Sequence, residues 1–339
     1  MTETIEVLIT KPFSEAQISP IEESSSRLNI TVMKARSAGD IPQDIWDQVE
    51  ILYTDSVLPD EGQAPKLNWI QFHWAGVDHI VDSPFLSKPG LIATTLSGAA
   101  ASKVAEYVIM MFLALGSHLP DMYIHQLRAE WPQDRWKRFR PLEIRGSTIG
   151  IVGYGSIGRQ IARLCNEMGA HVLASKHNAK QPVDPGYMPE GFGDPGGDLV
   201  KRLYPAQALR SMFRECDFVV ITVPLTPETR GMVSSDQIAA MKHGVYLVDI
   251  SRGGVIDHSA LIKALQDGRI RGVALDVFPE EPLPEGSELW KIPNVIITPH
   301  ISGITPYYDD RALELFTENL KRYLTDKPLF NLIDLSKGY

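Results

Sequence analysis

Ile149-Gly150-Ile151-Val152-Gly153-Tyr154-Gly155-Ser156-Ile157-Gly158 decides the fold. An apolar, β-branched run breaks into Gly-x-Gly-x-x-Gly and continues as Arg159-Gln160-Ile161-Ala162-Arg163-Leu164. A strand ends, a tight turn follows and a helix begins. Gly153 permits the turn, Gly155 lets a pyrophosphate approach the backbone, and Gly158 lets the helix pack close to the strand. The first amides of that helix and its positive dipole end then face an anion. The glycine pattern alone would fit a bare turn. With the strand before it and the helix after it, Gly153, Tyr154, Gly155, Ser156, Ile157 and Gly158 read as a dinucleotide loop.

Downstream of the loop, His171 to Ser175 reads as the next strand, followed by Phe218 to Val223, Val245 to Ile250, Gly272 to Val277 and Val295 to Thr298. Ser234-Ser235-Asp236-Gln237 forms a capping box for a helix that Gly244 ends, and Asp257 caps a helix from Ser259 to Gln266. The stretch from Pro182 to Pro205 is dense in Gly and Pro. It reads as a loop that decorates the surface rather than one that covers the adenosine end of a cofactor. Upstream, Glu6 to Thr10, Ile30 to Met33, Ile51 to Thr54, Asn68 to Phe72 and Leu91 to Thr94 are short apolar runs separated by crossovers. They imply a second parallel sheet covered by helices. From Ala99 to Leu115 a wide-faced helix, with Ser102 as its cap, is long enough to link two domains.

With 339 residues the chain exceeds one ordinary core. The expected organisation is α/β: a doubly wound nucleotide domain, residues 101–301, with residues 1–100 and 302–339 forming one discontinuous unit around it. The helix from Tyr307 to Leu324 would return to that unit. A net charge of -9 argues against general nucleic-acid binding. The basic, aromatic segment Trp131 to Arg140 therefore reads as an arm that packs on a subunit or domain. No apolar run approaches a membrane span, and Met1-Thr2-Glu3-Thr4-Ile5-Glu6 lacks the features of a signal peptide. The two cysteines, Cys165 and Cys216, are expected to be buried free thiols, which fits a reducing cytoplasm. Neither has metal-ligand spacing, and no metal is expected.

Three polar residues follow strands of the nucleotide domain: Arg252, Glu281 and His300. Strand C-terminal ends converge on the cofactor crevice, so the three could meet. Arg252 offers a planar fork to a carboxylate, His300 can pass a proton near neutral pH, and a neighbouring Glu281 would favour the imidazolium. With a hydride donor, such a set suits reduction of a 2-oxo acid. Each residue also has a plain structural reading, as a packed histidine, a surface arginine or a solvated turn. In the N-terminal region, Phe72-His73-Trp74-Ala75-Gly76-Val77-Asp78 is either a ligand-bearing sheet edge or an ordinary βα turn.

At these residues the chain resembles the D-2-hydroxyacid dehydrogenase family over nearly its full length. The resemblance rests on the glycine loop, Pro224-Leu225-Thr226-Pro227-Glu228-Thr229, Ser251-Arg252-Gly253-Gly254-Val255-Ile256-Asp257, Ala274-Leu275-Asp276-Val277-Phe278 with Glu281-Pro282, and Thr298-Pro299-His300-Ile301-Ser302-Gly303. It implies that His300 is the acid/base, Glu281 its partner and Arg252 the substrate clamp. Asp276 would meet the nicotinamide carboxamide, and the backbone of Ala75, Gly76 and Val77 would hold the substrate carboxylate. The implied cofactor set also takes in Ser175, Lys176, His177, Val223, Pro224, Thr229, Ile250, Ser251 and Gly303. The resemblance also implies a Rossmann nucleotide-binding domain inserted in a smaller flavodoxin-like substrate domain, and a homodimer. In one respect the chain departs from NAD-specific members. Lys176 stands about where an acidic residue would bind the ribose hydroxyls, so NADP(H) is expected over NAD(H). The expected substrates are small 2-oxo and 2-hydroxy acids of the glyoxylate, hydroxypyruvate or 2-ketoacid type. Rival readings are a phosphite or formate dehydrogenase of the same fold, and a non-catalytic dinucleotide-sensing protein like the corepressors. Formate enzymes usually carry Gln beside the histidine, so Glu281 argues against that rival.

Overall fold

The computed structural model describes residues 4–77, 80 and 83–334. Met1 to Glu3 and Asp78, both part of stretches singled out in the sequence, lie outside the described residues. The chain divides into two compact units, Met1–Ala99 with Thr305–Tyr339, and Ala100–Ile304.

The first unit is built on β1 (Ile5–Ile9), β2 (Leu28–Val32), β3 (Ile51–Thr54), β4 (Trp69–Phe72) and β5 (Ile92–Thr94), all parallel, in the order β2-β1-β3-β4-β5. This is the flavodoxin-like order. Every residue of β3 and β4 is buried, as parallel strands covered on both faces require. The C-terminal helix Tyr308–Tyr323 supplies part of that cover. Its Phe316 ring meets Tyr53 at 4.9 Å and Trp69 at 5.5 Å, and Tyr323 stacks on Trp69 at 5.4 Å.

The second unit carries β6 (Thr148–Val152), β7 (His171–Lys176), β8 (Arg202–Pro205), β9 (Phe218–Ile221), β10 (Val245–Asp249), β11 (Ile270–Leu275) and β12 (Val295–Ile297). They form one parallel sheet in the order β12-β11-β10-β9-β6-β7-β8. The order reverses between β6 and β9, the switch point where open α/β sheets bind ligands. Side chains alternate between two cores. Val152, Val219, Ile221 and Leu247 face one, while Ile151, Val220 and Val248 face the other, with Tyr107, Val108 and Phe112 of the helix Ala101–Gly116. Cys165 and Cys216 are free and buried. Burial pushes both thiols up to about 12. Among the described residues no single helix is long and apolar enough to cross a membrane.

The fold corrects two expectations. Ser102 is not the cap of the helix Ala101–Gly116; Ala100 is, without a side-chain bond. The alanines ahead of Ser102 extend the helix past the serine, since Ala is the best helix former. The stretch from Pro182 to Pro205 is not all loop, because its last four residues are β8, paired with β7 from Leu173↔Arg202 to Lys176↔Pro205. Pro205 is tolerated because it ends an edge strand. The preceding segment is bonded along the helix Ser156–Glu167.

Candidate functional site

The glycine loop follows β6 at the switch point. Gly153 has φ +105°, and a Cβ there would lie 2.8 Å from Thr222 Oγ1. A Cβ on Gly158 would overlap the Gly153 carbonyl oxygen and touch Ile151. Gly155 is the N-cap of the helix Ser156–Glu167, and nothing lies within 4 Å of where its Cβ would be. Two glycines therefore permit close packing, while the third leaves an open approach to the helix N-terminus. The loop fits a pyrophosphate. It is tied to β7 by Gly153 N–H, which donates to Ser175 O at 3.1 Å.

At the end of β7, Lys176 Nζ donates to Gln181 O at 3.1 Å and Val183 O at 3.2 Å. Burial lowers the pKa of this ammonium. His177 beside it is exposed. Val223 and Pro224 follow β9, and Thr229 Oγ1 donates to Pro224 O at 2.6 Å, which closes the turn. Ile250 is buried after β10, and its N–H reaches Ile221 O at 3.2 Å.

The polar residues lie beyond the C-terminal ends of β10, β11 and β12, which are neighbours in the sheet. Arg252 is half-buried and donates from Nη1 to Ser251 O at 3.0 Å. Glu281 Oε1 accepts from Phe278 N–H at 2.9 Å, so its carboxylate is fixed by the backbone. Its other oxygen, Oε2, is 2.8 Å from His300 Nδ1. His300 adopts φ 53°, a left-handed conformation uncommon outside glycine. Asp276 holds it there. This fully buried carboxylate accepts from Thr298 Oγ1 at 2.6 Å and from the N–H groups of Ile301 and Ser302 at 2.9 and 2.8 Å. The Thr298 hydroxyl also meets Tyr107 Oη at 2.6 Å. Gly303 follows, half-buried, with a notional Cβ 3.7 Å from Ala100 and Val104.

In the first unit, Ala75 is exposed, Gly76 half-buried and Val77 buried, just beyond β4. The preceding His73 is buried, with Nδ1 2.7 Å from Tyr53 Oη, and burial lowers its pKa to about 3. Tyr308 Oη donates to His73 O at 2.8 Å, which fixes the turn from the C-terminal helix.

Sequence reasoning misses three supporting residues, Asp249, Arg159 and Asp194, and for Asp276 it misses the structural half of the role. Asp249 ends β10 fully buried, and its Oδ1 accepts from Ser251 N–H at 3.0 Å and Ser251 Oγ at 2.5 Å. Asp276 organises the His300 turn. Arg159 and Asp194 are buried and bond the segment before β8 to the glycine-loop helix. An acidic residue closing an apolar run was a visible signal for Asp249. No local signal marks Arg159, whose partners lie 23 to 35 residues away.

A doubly wound sheet with an open glycine loop at its switch point, and a His–Glu pair and an arginine along the same edge, defines a dinucleotide-dependent α/β protein. The model of the D-isomer specific 2-hydroxyacid dehydrogenase NAD-binding domain matches residues 109–302. The D-3-phosphoglycerate dehydrogenase of Methanocaldococcus jannaschii is 30% identical over 335 residues, 98% of this chain and 60% of that protein. The glyoxylate reductase of Thermococcus litoralis is 31% identical over 293 residues, 85% of this chain and 83% of that one. A crystal structure of a D-isomer specific 2-hydroxyacid dehydrogenase from Xanthobacter autotrophicus, in complex with NADPH and MES, has TM-score 0.79 and 25% identity over the whole of both chains. The chain belongs to the D-isomer specific 2-hydroxyacid dehydrogenase family. It spans 60% of the length of the Methanocaldococcus relative.

Proposed function

We propose that the protein is an NADP(H)-preferring reductase of small 2-oxo acids, of the glyoxylate, hydroxypyruvate or related 2-ketoacid type, which forms D-2-hydroxy acids. The observation that carries the reading is the 2.8 Å contact between His300 Nδ1 and Glu281 Oε2. A carboxylate on Nδ1 fixes the ring and its tautomer and stabilises the imidazolium, which leaves Nε2 to give a proton to the substrate oxygen. When bound, the nicotinamide supplies the hydride. Arg252 holds the substrate carboxylate with its planar fork, helped by the backbone of Ala75, Gly76 and Val77. Gly153 to Gly158 hold the pyrophosphate. Asp276 sets the His300 turn and would also meet the nicotinamide carboxamide.

Lys176 supports the choice of NADP(H). Two of its three ammonium donors bind carbonyls at 3.1 and 3.2 Å, which leaves one for a 2′-phosphate. The Xanthobacter protein, similar over its whole length, was crystallised with NADPH. The buried free thiols support a reducing compartment, the cytoplasm. A homodimer is supported by the exposed side chains of Met110, Leu113, Leu127, Trp131 and Trp136.

The test is NADPH consumption across a panel of 2-oxo acids. Turnover is expected, and its complete absence removes the enzymatic reading in favour of a sensing role. His300→Ala is expected to lower kcat by about a hundredfold or more, the scale of a lost general acid, while NADPH still binds. Near-normal turnover of that variant takes His300 out of the role.

A further inference from the structure

The segment between Asn178 and Leu199 is fastened to the dinucleotide helix by a buried arginine. Arg159, fully buried at the start of that helix, donates from Nε to Asp184 Oδ2 at 3.0 Å, from Nη2 to Pro182 O at 2.5 Å, and from Nη1 to Asp194 O. Its guanidinium lies 4.5 Å from the centre of the Tyr154 ring, and Tyr154 Oη donates to Asp194 Oδ2 at 2.5 Å. Gly193 is gripped as well. Its N–H donates to Gln160 Oε1 at 2.6 Å and its carbonyl accepts from Arg163 Nε at 2.7 Å.

The carbonyls at the start of this segment alternate. Pro182 O turns to Arg159, and its neighbours Gln181 O and Val183 O turn to Lys176 Nζ. Successive carbonyls of an extended chain point to opposite sides, so one residue pinned by Arg159 aims the two flanking carbonyls at the lysine. The ammonium at the end of β7 is thereby placed from outside its own strand. A free lysine side chain has many rotamers and would bind a phosphate as a loosely placed charge.

We infer that Arg159 is a positioning residue for cofactor choice: by anchoring Pro182 it holds the carbonyls that orient Lys176 toward the 2′-position of the adenosine ribose. The inference rests on the NADP(H) reading above. It gives the Gly- and Pro-rich segment a role in selectivity that the glycine loop cannot fill, because the pyrophosphate is common to both dinucleotides. A partner shell of this kind changes affinity without touching ligand.

The experiment compares Kd for NADPH and for NADH, read by titration of the intrinsic tryptophan fluorescence of the full chain. Arg159→Lys keeps the charge but cannot reproduce a planar fork that serves Asp184, Pro182 and Asp194 together. The ratio of Kd for NADH to Kd for NADPH is expected to fall by about tenfold in this variant, through loss of NADPH affinity. Lys176→Met is expected to bring the ratio to about one. Tyr154→Phe, which removes a hydroxyl without changing charge, lowers the ratio in the same direction and decides the matter if the arginine variant does not fold.

An unchanged ratio in Arg159→Lys, with a collapsed ratio in Lys176→Met, overturns the inference. Equal weakening of both cofactors also overturns it, since that is the mark of a merely structural residue. An unchanged ratio in Tyr154→Phe does the same where that variant has to decide. A wild-type chain without a preference for NADPH refutes the NADP(H) reading itself, a separate failure seen before any variant is made.

Discussion

Asp249 and Asp276 close neighbouring strands and handle their charge in opposite ways. Asp276 has donors on both oxygens, two of them backbone amides, so its charge is satisfied. Asp249 has both Ser251 donors on Oδ1, and its buried Oδ2 has no hydrogen-bond partner among the described residues. Burial is the main cause that pushes Asp249 up to about 7, with the charge of Asp276 adding to it and the Ser251 bonds opposing. A carboxyl raised in this way binds a proton in the folded chain at pH values where the unfolded chain has lost it. Stability therefore falls as pH rises from about 4 to about 7, and the loss persists above 7. With about 1.4 kcal/mol per pKa unit, the effect is on the order of a few kcal/mol. Asp249→Asn keeps an oxygen for Ser251 and never ionises. Its Tm is expected to exceed that of the wild type at pH 8, with the gap closing toward pH 4.5. Equal melting at both pH values, or a uniform loss, sinks the idea.

At the scale of elements, the segment before β8 stands or falls with Asp194. Its carboxylate accepts from Tyr154 Oη and from the N–H groups of Gly197, Asp198 and Leu199. The Tyr154 hydroxyl is pushed well above its ordinary range, first by burial and then by this bond. Asp194→Ala strands one buried donor, the Tyr154 hydroxyl, at about 1–3 kcal/mol, and frees three part-buried amides that water still reaches. The variant is expected to melt several degrees lower, and protease is expected to nick it first between 178 and 199. Unchanged melting and cleavage would mean that the segment is held by other bonds.

This segment also marks the limit of sequence reading. The loop glycines were legible because their constraints are local: a positive φ, a carbonyl one turn away, an open approach. Most strands of both sheets were legible because each is a short apolar run, and β3, β4, β9 and β10 are buried at every residue. β8 was not, since Gly and Pro upstream hid the short run Arg202-Leu203-Tyr204. Arg159 reads as a solvent-facing helix residue until a loop folds over it. Asp276 could be located by motif, but its hold on the His300 turn depends on Thr298, Ile301 and Ser302 coming back from β12. The His300–Glu281 pairing was legible as strand-end convergence, and only its distance needed the structure.

At the scale of the whole molecule, the second unit carries an apolar face that its own core leaves uncovered. Met110 and Leu113 lie one turn apart on the helix Ala101–Gly116 and are 50% and 45% exposed. The helix Leu119–Leu127 adds Tyr123 and Leu127, and Trp131 and Trp136 follow at 78% and 81% exposure. Scattered apolar residues on a surface need no explanation, but large exposed ones on successive elements mark a candidate interface. The buried side of the same helix is already committed, because Val104, Tyr107, Val108, Phe112 and Leu115 fill the core beneath the sheet. The outer side is therefore available to a second body, and a two-fold axis lets the face pair with itself. Arg135 lies 5.0 Å from the centre of the Trp136 ring, so the basic arm carries its charge against an aromatic surface, which suits a rim around an apolar interface. The chain is expected to sediment at about twice its 37.7 kDa mass at micromolar concentration. Leu113→Glu would place a charge at the centre of such an interface and shift the population to monomer. The charge would not touch the inner core, so the His300–Glu281 pair should survive, and any change in turnover should follow protein concentration. Sedimentation velocity on both chains checks this. A wild-type chain that stays monomeric at about 10 µM, or a Leu113→Glu chain that stays dimeric, rules out this face as the interface.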